Sequence, residues 1–283
     1  MDLDTHMLPA GVGYSELRKH RIQSSHISFI DGNLTSNTQT MSQGLNVRVF
    51  QDGYWGFSAS PILSNANALK LGGAAKSNAR SLSGFGKRDR LDLGGHAHKG
   101  EYIFNGQKAW SAAEKIEFLQ AVNALCSKKY PKLVSCTLVF IDEMHNKNLL
   151  TSTGADTYTQ LGRSAFYMRH TLKDKDGAPI ELMAHRSAQG TVADMELNLA
   201  VVEEMADQLY KHVQDKVEAV PARAGIADVI LGHDVSGILA HEAMGHPCEA
   251  DLVEGGAVTS QLLEKKVASE LVTMVDFANT YKG

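Results

Sequence analysis

The stretch Gly44–Ser60, GLNVRVFQDGYWGFSAS, decides the fold of the N-terminal part of the chain. Apolar and polar residues alternate from Leu45 to Val49, which is typical of a strand with one buried face. Asp52-Gly53 then supplies the dipeptide that favours a two-residue hairpin turn. Asp31-Gly32, which follows a short apolar run, predicts a preceding hairpin of the same kind. The sequence therefore predicts successive antiparallel hairpins in this region.

Composition narrows the class of protein. The chain has 283 residues, of which 43% are hydrophobic and 21% charged, and its formal net charge is -4. These values are typical of a soluble globular protein and lack the basic excess of a nucleic-acid binder. Its three cysteines are odd in number and lack CxxC spacing, so they indicate neither a disulfide framework nor a cysteine-only zinc finger. With no signal peptide or long apolar segment in the sequence, we expect a cytoplasmic protein without a membrane span.

The middle of the chain predicts a helix followed by an antiparallel meander. Residues 61–82 favour a first helix, and the glycine-rich segment 83–102 is interpreted as a linker. Ser111 and Glu114 form a capping-box pattern at the start of a second helix. Strands are expected over 133–141, 156–172 and 181–187, and a further long helix is expected to follow, capped by Asp194 and ended by Pro221.

These elements predict an α+β fold in three domains. Residues 1–92 are expected to form a hairpin-and-helix α/β domain, 93–220 a helix-plus-antiparallel-meander domain, and 221–283 the start of a third domain. In the third domain, residues 227–232 (ADVILG) predict a short buried strand that leads into a helix over 233–246. Asp234 or Ser236 is the expected cap of that helix.

A possible metal site lies at the end of this last helix, in the stretch AHEAMGHPCEAD, residues 240–251. His241 and Glu242 are adjacent, and His246 follows five residues after His241. A zinc hydrolase needs imidazole ligands and a neighbouring carboxylate as base, which these residue types provide. Only about 0.06 such matches are expected by chance in a chain of this histidine content.

The spacing of the two histidines does not suit a regular α-helix. Residues i and i+5 diverge by roughly 140° and rise by roughly 7.5 Å, too far for two nitrogens bound to one zinc ion. A π-type turn would bring them together. Alternatively, Gly245 could end the helix in a left-handed conformation, and Pro247 could bias His246 away from the α region.

A simpler interpretation of the same residues also stands. His241 and His246 can be ordinary residues at a helix end, hydrogen-bonded to backbone or solvent, with Glu242 a solvated carboxylate. The residues alone do not exclude it.

The run LGHDVSGILAHEAMGHPCEADLV, residues 231–253, resembles the HExxxH segment of TldD/PmbA-type metalloproteases. In that family a strand leads into a helix that carries the motif, and an acidic segment follows. Residues 25–60 are similar to the family's N-terminal domain, with its hairpin and its strand containing glycine, valine and arginine. The order of the three domains is also similar, so the resemblance covers most of the chain.

The resemblance implies that His241 and His246 are zinc ligands and that Glu242 is the general base for peptide-bond hydrolysis. It also implies that residues 221–283 begin the family's β-rich metalloprotease domain. The family's third ligand is a cysteine further downstream, and the chain stops at Gly283. Cys248 is a local candidate for its place but does not match the family position. We therefore expect an N-terminal piece of a longer protein, or a variant that has lost its catalytic half.

Family members form dimers of identical chains or of an active and an inactive partner, and they admit unfolded peptides. The resemblance thus implies a zinc-dependent peptidase subunit that acts on short or unfolded peptides and forms a homodimer or a heterodimer with a related subunit. The alternative is a non-catalytic subunit that binds peptides or pairs with an active partner.

Overall fold

The computed structural model describes residues 2–82, 97–254 and 256–275. The chain separates into two compact units, Met1–Val220 and Pro221–Gly283. The first unit contains a mixed sheet and three helices, and the second contains short helical segments. This arrangement confirms the predicted α+β class.

The described residues of the first unit form seven strands in one sheet. The strands are β1 (Tyr14–Ile30), β2 (Asn33–Gln51), β3 (Tyr54–Ser60), β4 (Lys99–Phe104), β5 (Ser135–Thr151), β6 (Asp156–Lys173) and β7 (Pro179–Gln189). Their order is β3-β2-β1-β5-β6-β4, and β7 also pairs with β6. All neighbours are antiparallel except β4, which runs parallel to β6. Strands β1–β3 come from the first predicted domain and β4–β7 from the second. The boundaries of the predicted domains stay predictions.

Both predicted Asp-Gly turns are confirmed. Asp31 and Gly32 have φ angles of 52° and 80°, and Asp52 and Gly53 have φ angles of 55° and 85°. Two consecutive positive φ values define the turn whose twist matches that of the strands it joins. The turns therefore set the pairing register of β1, β2 and β3.

Three helices cover the sheet: α1 (Asn65–Leu82), α2 (Ala112–Lys129) and α3 (Leu199–Val217). The predicted capping box of α2 is present, since the Ser111 hydroxyl accepts from the Glu114 N–H and the Glu114 carboxylate accepts from the Ser111 N–H. Helix α1 packs on β2 and β3, whereas α2 contacts β5 and α3 contacts β6 and β7. Two apolar cores result, one beneath α1 and a larger one beneath α2 and α3.

Gly72 and Gly73 lie in the interior of α1, where alanine is expected to change the stability of the protein. A Cβ atom added at Gly73 meets no heavy atom within 4 Å, whereas one at Gly72 lies 2.9 Å from Cγ of Pro9. Alanine is favoured over glycine in a helix interior by about 0.5–1 kcal/mol. We therefore expect Gly73→Ala to raise the free energy of unfolding by about that amount, measured by urea denaturation. Gly72→Ala should raise the free energy of unfolding by less than Gly73→Ala does. An equal increase would contradict the packing of Gly72 against Pro9.

Two predictions for the first unit are wrong. Residues 99–102 of the predicted linker belong to β4, because their backbone pairs with the first residues of β6. Residues 83–96 of the linker lie outside the described residues. Asp194 does not cap α3: Asn198 does, through a hydrogen bond from the Val201 N–H.

Asp194 instead closes a short 3-10 turn, Val192–Met195. Its carboxylate accepts hydrogen bonds from the backbone N–H groups of Thr191, at 2.7 Å, and Gln107, at 3.0 and 3.1 Å. These bonds favour the charged form, so they lower the pKa of Asp194 below its usual value. Asp194 thus connects the segment before α2 to the segment before α3.

The lowered pKa of Asp194 predicts a pH dependence. A carboxyl group that is more acidic in the folded state stabilises it above the unfolded pKa of about 3.9 and loses that contribution as the pH falls through the folded pKa. We expect Asp194→Asn to lower stability at pH 7 and to make unfolding less pH-dependent below about pH 4. Urea denaturation at several pH values measures both. Asp215→Asn, at an exposed position of α3, is the control, and unchanged acid sensitivity in Asp194→Asn would contradict the assignment.

The second unit begins with irregular backbone. The strand predicted over 227–232 does not form, because a strand needs a neighbour with which to pair and the described residues from 221 onward contain no strand. Helix α4 (His233–Ala240) follows, but neither Asp234 nor Ser236 caps it. The N-cap is Gly232, which has no side chain to offer, and Ser236 lies inside the helix with its hydroxyl donating to the Gly232 carbonyl at 2.9 Å.

Candidate metal centre

A π-helical turn, His241–Gly245, continues directly from α4. The backbone N–H of His246 donates to the carbonyl of His241, five residues earlier. One extra residue per turn therefore rotates position i+5 back over position i, as the spacing of the motif predicted. The ring centres of His241 and His246 are 5.9 Å apart, and the ring planes differ by 22°.

The alternative account of the spacing is wrong. Gly245 has φ -61°, which is right-handed helical, so it does not provide a left-handed helix end. His246 also keeps helical angles, φ -60° and ψ -48°, although Pro247 follows it. The proline instead enters a 3-10 turn, His246–Cys248, where its missing N–H leaves no helical bond unmade. A short helix α5 (Ala250–Glu254) comes next.

The two histidines fit a pair of ligands to one metal ion. Two imidazoles bound to one tetrahedral zinc ion at about 2.0–2.1 Å place their ring centres roughly 5 Å apart. The observed separation of 5.9 Å is close to that value, and both side chains are exposed. Glu242 follows His241 in the π-turn and is also exposed.

Glu249 is a further residue of this site that the sequence analysis did not single out. Its Oε1 lies 2.8 Å from Nδ1 of His246, and the hydrogen bond raises the pKa of His246 above its usual value. Because a carboxylate only accepts, Nδ1 carries the proton and Nε2 is left as the ligand atom. Metal-binding histidines commonly have such an orienting carboxylate. An acidic residue three positions after His246 was the available signal.

No third protein ligand joins the two histidines among the described residues. Cys248 is exposed and does not form a group of three ligand atoms with them in the part of the chain that the structure describes. The described residues do contain one such group elsewhere, Cys126, Cys136 and His170 in the first unit. No sequence motif indicates this group, since its residues are far apart in the chain and the cysteines lack CxxC spacing.

A protein-family model matches part of the first unit. A family model described as PmbA/TldA metallopeptidase domain 1 matches residues 15–79, from β1 into α1. Together with the relatives below, this match confirms the predicted resemblance to the TldD/PmbA family.

Particular relatives cover nearly the whole chain. A metalloprotease of Methanothermobacter thermautotrophicus is 26% identical over 271 residues, which is 94% of this chain and 57% of that protein. A zinc metalloprotease TldD homolog of Saccharolobus solfataricus is 22% identical over 272 residues, again 94% of this chain and 57% of that protein. The chain therefore spans less than two thirds of the length of these relatives.

A solved structure shares the fold. The crystal structure of a Bacteroides thetaiotaomicron protein, described as a candidate modulator of DNA gyrase, has a TM-score of 0.69 and 15% sequence identity. The alignment covers 92% of this chain and 58% of that one. At this identity the likeness concerns the fold alone. Separately, none of the described helices is long and apolar enough to cross a membrane.

Proposed function

We propose that the protein is a zinc-dependent peptidase subunit that hydrolyses amide bonds of short or unfolded peptides. The observation that carries the proposal is the π-turn, which brings His241 and His246 to one side of the helix end. A coincidental pair of histidines has no need of this rare backbone, whereas π-turns recur at functional sites. The names of the relatives support a metal-dependent protease.

His241 and His246 would hold the metal, and Glu249 would keep Nε2 of His246 free to bind it. A bound zinc ion supplies Lewis acidity toward the substrate carbonyl and lowers the pKa of its water to about 7. Glu242 would accept the proton of the attacking water and deliver it to the departing amine. Its exposed carboxylate is free for this task, since the described contacts pair Glu249, not Glu242, with a histidine.

Zinc in such sites has three protein ligands, so we propose that the third comes from outside the described residues. We further propose a cytoplasmic dimer, either of identical chains or with a related subunit. The second candidate function is a non-catalytic subunit that binds peptides. It is favoured by the lack of a third ligand near His241 and His246 among the described residues.

Metal analysis combined with a peptidase assay tests the proposal. We expect the complete gene product to contain zinc and to hydrolyse unfolded peptides, and a chelator to remove both properties. His241→Ala should lose activity and the zinc of this site, because it removes one of the three protein ligands that such a site needs. His233→Ala, at an exposed histidine in α4, is the matched control. Hydrolysis that survives both the chelator and His241→Ala would reject the metallopeptidase, whereas a folded protein with no hydrolysis would favour the peptide-binding subunit.

A further inference from the structure

A second group of metal-ligand side chains lies in the core of the first unit, remote in sequence from the HEAMGH motif. Cys126 is in the last turns of α2, and Cys136 in β5 is the direct cross-strand partner of His170 in β6. The ligand atoms of these three residues all lie within 4.8 Å of one another, and Sγ of Cys126 is 3.8 Å from Nε2 of His170. Helix α2 therefore places the sulfur of Cys126 beside the sulfur of Cys136 and the imidazole of His170, which are paired across two strands of the sheet.

The group is dry. Cys126 and His170 are 0% exposed and Cys136 is 3% exposed, and the rings of Tyr130 and Tyr210 lie against the imidazole with centres at 5.5 and 6.4 Å. Nδ1 of His170 is buried without a hydrogen-bond partner. The nitrogen that faces Cys126 is Nε2, so Nε2 is the ligand atom and Nδ1 carries the proton of the neutral ring.

We propose that Cys126, Cys136 and His170 form a structural binding site for a divalent thiophilic cation, with Zn²⁺ the natural occupant. Thiolate sulfur and imidazole nitrogen are the ligands that zinc prefers. Bonds of about 2.3 Å to sulfur and about 2.0–2.1 Å to nitrogen place two ligand atoms of one tetrahedral ion roughly 3.5–4 Å apart. The separation of 3.8 Å between Cys126 and His170 matches this geometry.

Charge balance favours a divalent ion over a monovalent one. Two thiolates, one neutral imidazole and Zn²⁺ sum to zero charge, which is the state that a buried apolar site accommodates best. Cu⁺ in the same place would leave a net negative charge. The described residues supply three ligands and no fourth, so we expect weaker binding than in four-ligand zinc sites.

The surroundings shift the pKa values of the two thiols in opposite directions. The hydrogen bond from Cys136, and then the one to His170, lowers the pKa of Cys126 to about 6. The hydrogen bond with Cys126 and burial in turn raise the pKa of Cys136. Zinc binds thiolate sulfur, so any thiol proton must leave on binding, and binding should tighten as the pH rises.

The test uses a chain in which His241→Ala and His246→Ala remove the other candidate site. We expect this protein to bind one equivalent of Zn²⁺ per chain, measured by mass spectrometry of the metal after dialysis under reducing conditions. We expect Co²⁺ to give the charge-transfer absorption that reports a sulfur–cobalt bond. Cys136→Ser should lower zinc content by roughly tenfold or more and remove the absorption. Cys248→Ser, which alters the exposed cysteine of the second unit, should change neither.

The test does not depend on the cysteine variants being folded. The cobalt absorption is also measured on the chain that carries only His241→Ala and His246→Ala and keeps all three cysteines. If that protein is folded and reduced yet shows no absorption and no zinc, the site does not exist. A disulfide between Cys126 and Cys136 in protein purified under reducing conditions would likewise overturn the proposal. His170→Gln tests whether the two cysteines alone bind zinc. Zinc binding that stays unchanged without the imidazole would reject the three-ligand site.

Discussion

Glu242→Gln is expected to lower peptide hydrolysis by about 100- to 10,000-fold, the usual contribution of a general base, while zinc content stays unchanged. Glutamine has the shape of glutamate but cannot accept the proton of the attacking water. In the proposed site the ligands are His241 and His246, not this carboxylate, so removing its charge should leave the metal in place. Steady-state kinetics on an unfolded peptide, together with metal analysis of the same sample, measures both quantities.

Glu270→Gln is the matched control, because Glu270 lies in the same unit and its side chain is 89% exposed. We expect it to retain full activity. If Glu242→Gln were equally active, Glu242 would not be the base. If Glu242→Gln instead lost zinc, the carboxylate would be a ligand, and the assignment of roles within the motif would change.

The parts of the fold that could be predicted from the sequence depend on neighbouring residues. The Asp-Gly dipeptides at 31–32 and 52–53 fix positive φ angles at two adjacent positions, so they specify each turn without distant help. The capping box of Ser111 and Glu114 is similarly contained within four residues. The π-turn was one of two predicted ways to bring His241 and His246 together, because a metal site in this motif would require the two side chains to approach.

Elements that depend on distant partners were not predictable in this way. Strand β4 pairs in parallel with β6, more than fifty residues later in the chain. Its first three residues, Lys99, Gly100 and Glu101, give a weak strand signal, so the segment was interpreted as the end of a linker. Asp194 has the right residue type for a cap, but its partner at Gln107 comes from another part of the chain. Asp194 is the third residue of a short 3-10 turn whose N-cap is Thr191, so the prediction that Asp194 caps the long helix is wrong.

The buried group of Cys126, Cys136 and His170 shows the same limit for sites. Its members come from a helix and two strands, and only the pairing of β5 with β6 places Cys136 opposite His170. Sequence motifs indicate metal sites whose ligands are close in the chain, such as the site proposed for HEAMGH. They do not find ligands that the sheet register brings together.

Gly56→Ala is expected to cause the largest loss of stability of the substitutions considered. Gly56 lies in β3 where α1 crosses it, and an added Cβ would overlap the carbonyl oxygen of Ala75 and lie 2.6 Å from the backbone nitrogen of Ala79. Backbone atoms cannot rotate away as a side chain can, so the whole of α1 must shift from β2 and β3. Overpacking usually lowers the free energy of unfolding by about 1–3 kcal/mol, and we expect a loss at or above the upper end of that range.

Urea denaturation followed by circular dichroism measures this loss, and Gly73→Ala is its matched control. Both variants add one methyl group at the same helix–strand layer, but the methyl at position 73 meets open space. The two changes should therefore have opposite signs, a loss for Gly56→Ala and a gain for Gly73→Ala. If Gly56→Ala were neutral, α1 would not contact β3 this closely, and the close approach of the helix to Gly56 would be wrong.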